Sequence, residues 1–285
     1  MLEITKLSFP GLGIGEFNVD SVAFTVFDID IAWYALIITF GMICAVAYTV
    51  YRAGQVKISF DDILDYVLFV IPTGIIGARL YYVLMTLDRY DSLKEVFNIR
   101  GGGLAIYGGI IAGAIAVFAV SRYKKIPFRV LADCCTPGII LAQSIGRWGN
   151  FMNGEAYGGP TDLFCRMGIE IGSTMQYVHP TFLYESLWNL VGFILVNIFY
   201  KHRKYDGQIF LMVFGWYGLG RMFIEGLRTD SLYMQLFGLE FRVSQVLAAI
   251  IFAVCTTLLV YLAIKKTERH LYVHQPKKSK ESKAK

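Results

Sequence analysis

The chain has 285 residues, a formal net charge of +5, 55% hydrophobic residues and only 17% charged ones. That balance excludes an ordinary soluble domain, which carries a larger polar share. The five cysteines are odd in number, and Cys44, Cys134, Cys135 and Cys255 lie in apolar stretches. Only Cys165 falls in an outer loop, so no disulfide framework is expected.

The apolar residues gather into seven blocks, at about 29–51, 61–86, 103–121, 130–150, 180–200, 208–228 and 242–264. Each is near or above the ~20 residues that cross ~30 Å of hydrocarbon as a helix. One buried soluble helix accounts for one such block, not for seven. The predicted fold class is therefore an all-α polytopic membrane protein, a single integral membrane domain over residues 1–285. It has a small outer cap at about 151–179 and a basic tail at 265–285. Residues 1–28 show no basic stretch followed by a short apolar core, so no cleavable leader is expected. The segments 52–60, 122–129, 201–207 and the tail hold 17 of the 27 Lys/Arg, against 5 in the intervening segments. The expected orientation is N-terminus outside and C-terminus in the cytoplasm.

At 1.5 Å per residue, sequence position becomes depth. In chain order, Tyr34, Arg79, Tyr107, Arg147, Glu185, Arg221 and Glu225 all fall in the outer part of the bilayer. The inner ends carry Asp61, Asp62, Asp65 and Asp133 with no embedded arginine to match. Arg79, Arg228 and Arg242 read as snorkelling or ion-paired residues. Arg147 and Arg221 are embedded among other polar groups, and intramembrane ionisable residues are expensive enough to mark a site.

The segment "GRWGNFMNGEAYGG", Gly146 to Gly159, concentrates that polarity. Arg147 and Asn150 are three apart and share a helix face. Gly146, Gly149 and Gly154 permit close approach, and Glu155 is placed to orient Arg147 or to take a proton. Arg221, Glu225 and Arg228 follow i, i+4, i+7 spacing as one polar stripe. "HPTFLYE", His179 to Glu185, opens the fifth block at a proline. Gly109 and Gly113 form a small-xxx-small pair in the third. "GLGIG" (Gly11 to Gly15) and "GLG" (Gly218 to Gly220) lack the strand–turn–helix context of a nucleotide loop. Two guanidiniums without metal-ligand spacing suit a phosphate, which Arg grips bidentately. In an outer leaflet that phosphate belongs to a phospholipid headgroup. No metal, cofactor or nucleic acid is expected.

The segment Gly146–Gly158 resembles the signature of prolipoprotein diacylglyceryl transferases, G-R-x-G-N-F-x-N-x-E-x-x-G, at every specified position. "WYAL" (Trp33 to Leu36), "GARLYYV" (Gly77 to Val83), "GGLAIYGG" (Gly102 to Gly109) and "GLGRMFIEGLR" (Gly218 to Arg228) extend the resemblance along the chain. It implies transfer of the diacylglyceryl group of phosphatidylglycerol to the lipobox cysteine thiol of a prolipoprotein signal peptide. The products are a thioether and glycerol-1-phosphate, in the first step of bacterial lipoprotein maturation at the cytoplasmic (inner) membrane. It also implies Arg147 and Arg221 as essential arginines, with Glu155 and Tyr107 beside them in catalysis. Tyr34, Arg79, Asn150, Asn153, Gly154, Glu185, Glu225 and Arg228 then serve the lipid or substrate site. Many members carry histidine where this chain has Tyr107, which leaves the general base unassigned. A transporter or scramblase is the rival from another class, weakened by the absent repeat and the odd span number. A seven-helix receptor is a third reading, with little cytoplasmic loop surface to support it.

Overall fold

A computed structural model describes residues 4–90, 92–98, 102–172, 174–236, 239–265 and 271–273. Most of the predicted basic tail lies outside these. The chain is mostly helical, and among the described residues six helices are long and apolar enough to cross a membrane. In chain order the long helices are α1 (Trp33–Gln55), α2 (Phe60–Met85), α4 (Ile106–Lys124), α5 (Phe128–Met152), α6 (Thr181–Phe199), α7 (Gln208–Ile224) and α8 (Val243–Ile264), with the short α3 (Leu93–Phe97) between α2 and α4. The helix α7, at 17 residues, is the one long helix outside the six.

The all-α expectation is corrected by eight short strands among the described residues: β1 (Ile4–Phe9), β2 (Ile14–Asp20), β3 (Val22–Val26), β4 (Ile29–Ala32), β5 (Met167–Ile171), β6 (Thr174–Val178), β7 (Tyr233–Leu236) and β8 (Leu239–Arg242). They form a four-stranded sheet in the order β2-β1-β5-β6 and two hairpins, β3-β4 and β7-β8. Short alternating segments beside long apolar blocks give little period-2 signal, so these strands are not legible in the sequence. The predicted first span began at Ile29. The chain instead turns back through Phe27 and Asp28, both at positive φ, and Ile29–Ala32 pairs with β3, so the helix starts at Trp33. Likewise Gly102 and Gly103 sit at φ +85° and +75°, outside helical space, and α4 begins at Ile106 rather than 103.

The chain folds as two compact units: the residues up to Tyr48 with Cys135–Leu271, and Thr49–Cys134 with Tyr272 onward. In the second, α2 and α4 cross where a Cβ on Gly77 would lie 2.2 Å from Ala112 Cβ, and one on Gly108 2.3 Å from Gly77 O. Gly77 and Gly108 thus mark the close crossing, with Gly109 and Gly113 further along the same interface. Lys124 Nζ joins these helices again through Asp62 (2.7 Å) and Asp65 (2.5 Å).

In the first unit, Leu7, Phe9, Val19, Met167, Ile169 and Val178 make the core of the four-stranded cap. It packs on Phe151 and Met152 at the end of α5 and on Phe182 and Leu183 at the start of α6. That seat ties the two helix ends to one rigid platform. Deeper down, α6 and α7 are locked by Trp188 and Trp216. The indoles stack at 4.3 Å, and each Nε1 donates to the other residue's carbonyl at 2.9 Å. Each needs a glycine opposite: a Cβ on Gly192 would meet Trp216 at 2.3 Å, and one on Gly220 would meet Trp188 at 2.2 Å.

Candidate active site

The end of α5 carries the segment Gly146–Met152 in helical form, and the helix persists far enough for Arg147 Nη1 to reach Asn150 Oδ1 at 3.3 Å. Asn150 Nδ2 in turn donates to Glu155 Oε1 at 2.9 Å, and Asn153 Nδ2 to the same oxygen at 3.3 Å. Glu155 therefore acts on Arg147 through Asn150, and its Oε2 has no hydrogen-bond partner among the described residues. The chain can double back from α5 to Glu155 because Gly154 adopts φ +61°, with Thr5 of β1 3.0 Å from where a Cβ would stand.

Gly158 is fixed from both sides. Its N–H donates to His179 O at 2.9 Å, and it bridges antiparallel to Arg228, while the N–H of Gly159 donates to Leu227 O at 2.9 Å. A Cβ there would sit 2.7 Å from His179 Cβ, so only glycine fits. Thr181 Oγ1 donates to Ala156 O, and Thr229 Oγ1 to Tyr157 O at 3.3 Å. These bonds set the loop after α5, the start of α6 and the segment after α7 in one register.

The charged centre follows from that register. Glu185, 4% exposed, offers its two oxygens to three arginines: Oε2 to Arg147 Nη2 at 2.5 Å, and Oε1 to Arg221 Nη1 at 2.8 Å and Arg228 Nη1 at 3.4 Å. Arg221 Nη2 also meets Glu225 Oε2 at 2.5 Å, as the i, i+4 spacing requires. The helix ends at Ile224, so Arg228 does not continue a helical stripe. It lies in extended backbone, reaches Glu185 from the segment after the helix, and grips Asp230 with two bonds of 2.9 and 2.7 Å. That grip holds the Asp230 carboxyl below the usual carboxylate range. A buried carboxylate shared among guanidiniums is the pairing that makes such burial tolerable. It also fixes the direction in which each planar fork can present its remaining N–H groups.

Tyr217, Ser144 and Ser186 are neighbours of the site that the sequence analysis does not single out, and Arg242 and Tyr184 have partners that it does not name. Tyr217, one turn before Arg221, lies among the charges of Arg221, Glu185, Arg147 and Glu225; its i, i+4 spacing to Arg221 was the available signal. Ser144 and Ser186 exchange hydroxyl-to-carbonyl bonds of 2.8 and 2.9 Å between α5 and α6, one turn from Arg147 and one residue from Glu185. Arg242 donates to Glu225 O and, through Nε, to Tyr233 OH at 3.1 Å, a clamp on the end of α7 that no spacing rule reveals. Tyr184 OH joins His179 Nδ1 and Cys165 Sγ, each at 3.3 Å.

Tyr34, in the first turn of α1, packs on Gly149, whose Cβ would come within 2.8 Å of its ring. One unit thus brings together Tyr34, Arg147, Asn150, Asn153, Gly154, Glu155, Glu185, Arg221, Glu225 and Arg228. Arg79 and Tyr107 belong to the other. Arg79 spends its guanidinium on the carbonyls of Glu95, Val96, Gly102 and Gly103, at 2.7 to 3.1 Å, and lies 5.4 Å from the Tyr90 ring centre. It orders the segment between α2 and α4. Tyr107 stands in the first turn of α4, half-buried, with no hydrogen-bond partner among the described residues.

A family model described as prolipoprotein diacylglyceryl transferase matches residues 21–261. Among similar proteins, the phosphatidylglycerol–prolipoprotein diacylglyceryl transferase of Clostridioides difficile (strain 630) is 45% identical over 233 residues, 81% of this chain and 91% of that one. Its namesake in Finegoldia magna is 47% identical over 238 residues, 82% and 93% respectively. That of Enterococcus faecalis is 43% identical over 256 residues, 85% and 90%.

Proposed function

The chain belongs to the prolipoprotein diacylglyceryl transferase family, and on that premise we propose that its arginine cluster binds phosphatidylglycerol and passes the diacylglyceryl group to a prolipoprotein thiol. The observation that carries this reading is the sharing of Glu185 by Arg147, Arg221 and Arg228. Such a lattice keeps guanidiniums fixed before substrate arrives, so no reorganisation is needed when charge develops.

In the reaction, the thiolate of a lipobox cysteine attacks the glyceryl carbon bonded to phosphate oxygen. The C–S bond forms, the C–O bond breaks, and its electron pair leaves on glycerol-1-phosphate, which gains a negative charge. Arg147, the most exposed of the three arginines at 21%, turns an edge toward that phosphate, with Arg221 behind it. A free thiol titrates near ~8.5 and needs a positive field or a base. Glu155 is suited to take its proton, since both asparagines occupy only Oε1. Tyr34, packed on Gly149, positions substrate, and Asn150, Asn153, Gly154, Glu225 and Arg228 hold the arginines and the loop. Seven spans in one membrane domain, with the N-terminus outside, put this site toward the outer leaflet of the bacterial cytoplasmic membrane.

The deciding experiment combines purified protein in detergent, phosphatidylglycerol and a synthetic lipobox peptide, read by peptide mass and released glycerol phosphate. A diacylglyceryl mass gain, lost in Arg147→Ala and Arg221→Ala, is the expected result. No gain with lipid binding intact overturns the reading and favours lipid transport.

A further inference from the structure

The second unit carries a groove of about 550 Å³ at the turn from α4 to α5, lined by Phe118, Ser121, Arg122, Lys125, Pro127 and Phe128 among others. The turn is tight. Lys125 caps α4 at φ 59°, and its N–H and that of Ile126 both go to Ser121 O, so that α5 restarts at Phe128. The Ser121 hydroxyl is bonded to Tyr66 at 3.0 Å, which leaves the polar chemistry of the groove to its cations.

Arg122, Lys125 and the neighbouring Arg129 are exposed, and none has an ion-pair partner among the described residues. Lys124, between them in sequence, is fully engaged by Asp62 and Asp65. The first turn of α5 has no acidic residue to neutralise its positive end. Beside these charges, Phe118 is 57% exposed and Tyr123 86%, at the end of a helix apolar enough to span a bilayer.

We propose that this groove binds an anionic glycerophospholipid, its phosphate on Arg122 and Lys125 and one acyl chain along Phe118 and Phe128. Uncompensated cations at a helix end attract anionic headgroups, and an apolar trough beside them takes the tail. A small anion would leave the trough empty. On the orientation proposed above, the bound lipid comes from the cytoplasmic leaflet and is not the donor of the reaction.

The test uses the full chain in phosphatidylcholine nanodiscs containing a phosphatidylserine with a diazirine-bearing acyl chain, or phosphatidylcholine with the same chain. After illumination, peptide mass spectrometry reads labelling of residues 118–128. The phosphatidylserine probe is expected to label this segment severalfold more. Labelling should fall roughly fivefold for each cation removed in Arg122→Gln, Lys125→Gln and Arg129→Gln. Tryptophan-fluorescence melting reports that each variant is folded; the single Arg122→Gln exchange, at an exposed side chain, serves if the combined variant is not. Equal labelling by the two probes, unchanged labelling in the folded variant, or loss of labelling to soluble glycerophosphoserine would each overturn the proposal. Absence of diacylglyceryl transfer in every protein would count against the proposed reaction and leave the labelling result standing.

Discussion

Glu185 and Arg221 meet across α6 and α7 at 2.8 Å, while the second oxygen of the same carboxylate holds Arg147 of α5 at 2.5 Å. One acidic side chain therefore sets the spacing of the two arginines assigned to the phosphate. Its replacement differs in kind from theirs, because it leaves cations buried without their partner.

Glu185→Gln is expected to destabilise the protein by about 3–5 kcal/mol, the range for removing one member of a buried ion pair. Thermal unfolding in detergent checks this. A melting midpoint equal to that of the wild type would show that the three arginines do not depend on Glu185.

Arg147→Ala and Arg221→Ala are each expected to lower diacylglyceryl transfer by about a hundredfold or more, as for loss of a donor aimed at developing charge. Arg147→Lys should restore little, because an ammonium cannot hold Glu185, Asn150 and a phosphate with one planar fork. Steady-state rates with the lipobox peptide decide this, and a lysine variant near wild-type rate would contradict the geometry.

Tyr107→Phe is expected to reduce the rate only modestly, since a phenol with pKa ~10 is a poor resting base at pH 7. A loss as complete as that of Arg147→Ala would give the hydroxyl a chemical role.

Gly192→Ala and Gly220→Ala each drive a methyl into an indole, at 2.3 and 2.2 Å from the nearest ring atom. Overpacking of this kind costs about 1–3 kcal/mol. The near-ultraviolet circular dichroism of the stacked pair should weaken along with the melting midpoint. An unchanged signal would show that the two rings move aside freely.

Asp230 is held below the ordinary carboxylate pKa by its hydrogen bonds to Arg228. A depressed carboxylate stabilises the fold above its unfolded pKa, and that contribution is lost as pH falls through the folded value. Between about pH 5 and about pH 3 the wild-type melting midpoint should therefore fall more steeply than that of Asp230→Asn. Parallel slopes would remove Asp230 from the acid response.

The helices were legible because burial in hydrocarbon demands long apolar runs, and their positions match within a few residues, as for 61–86 against Phe60–Met85. Glu185, Arg147 and Arg221 could be placed in one layer by depth alone. That Glu185 stands at the centre was not legible, because depth fixes height and not azimuth. Arg242 shows the same limit, since its partner is a carbonyl, which every residue has. A small cap is expected at 151–179, but its sheet is not legible, because β1 and β5 recognise each other across the sequence and neither has a strong pattern by itself.

That pairing, Leu7 opposite Ile169, also orders events in time. During synthesis β1 is made first, yet its partner emerges only after α1, α2, α4 and α5. Contacts so distant along the chain form late. The loop around Gly154, which rests on Thr5, is therefore finished only once those membrane helices have been delivered. A chain made only as far as the end of α5 therefore carries Arg147 without Glu185 and without the finished loop that orients it.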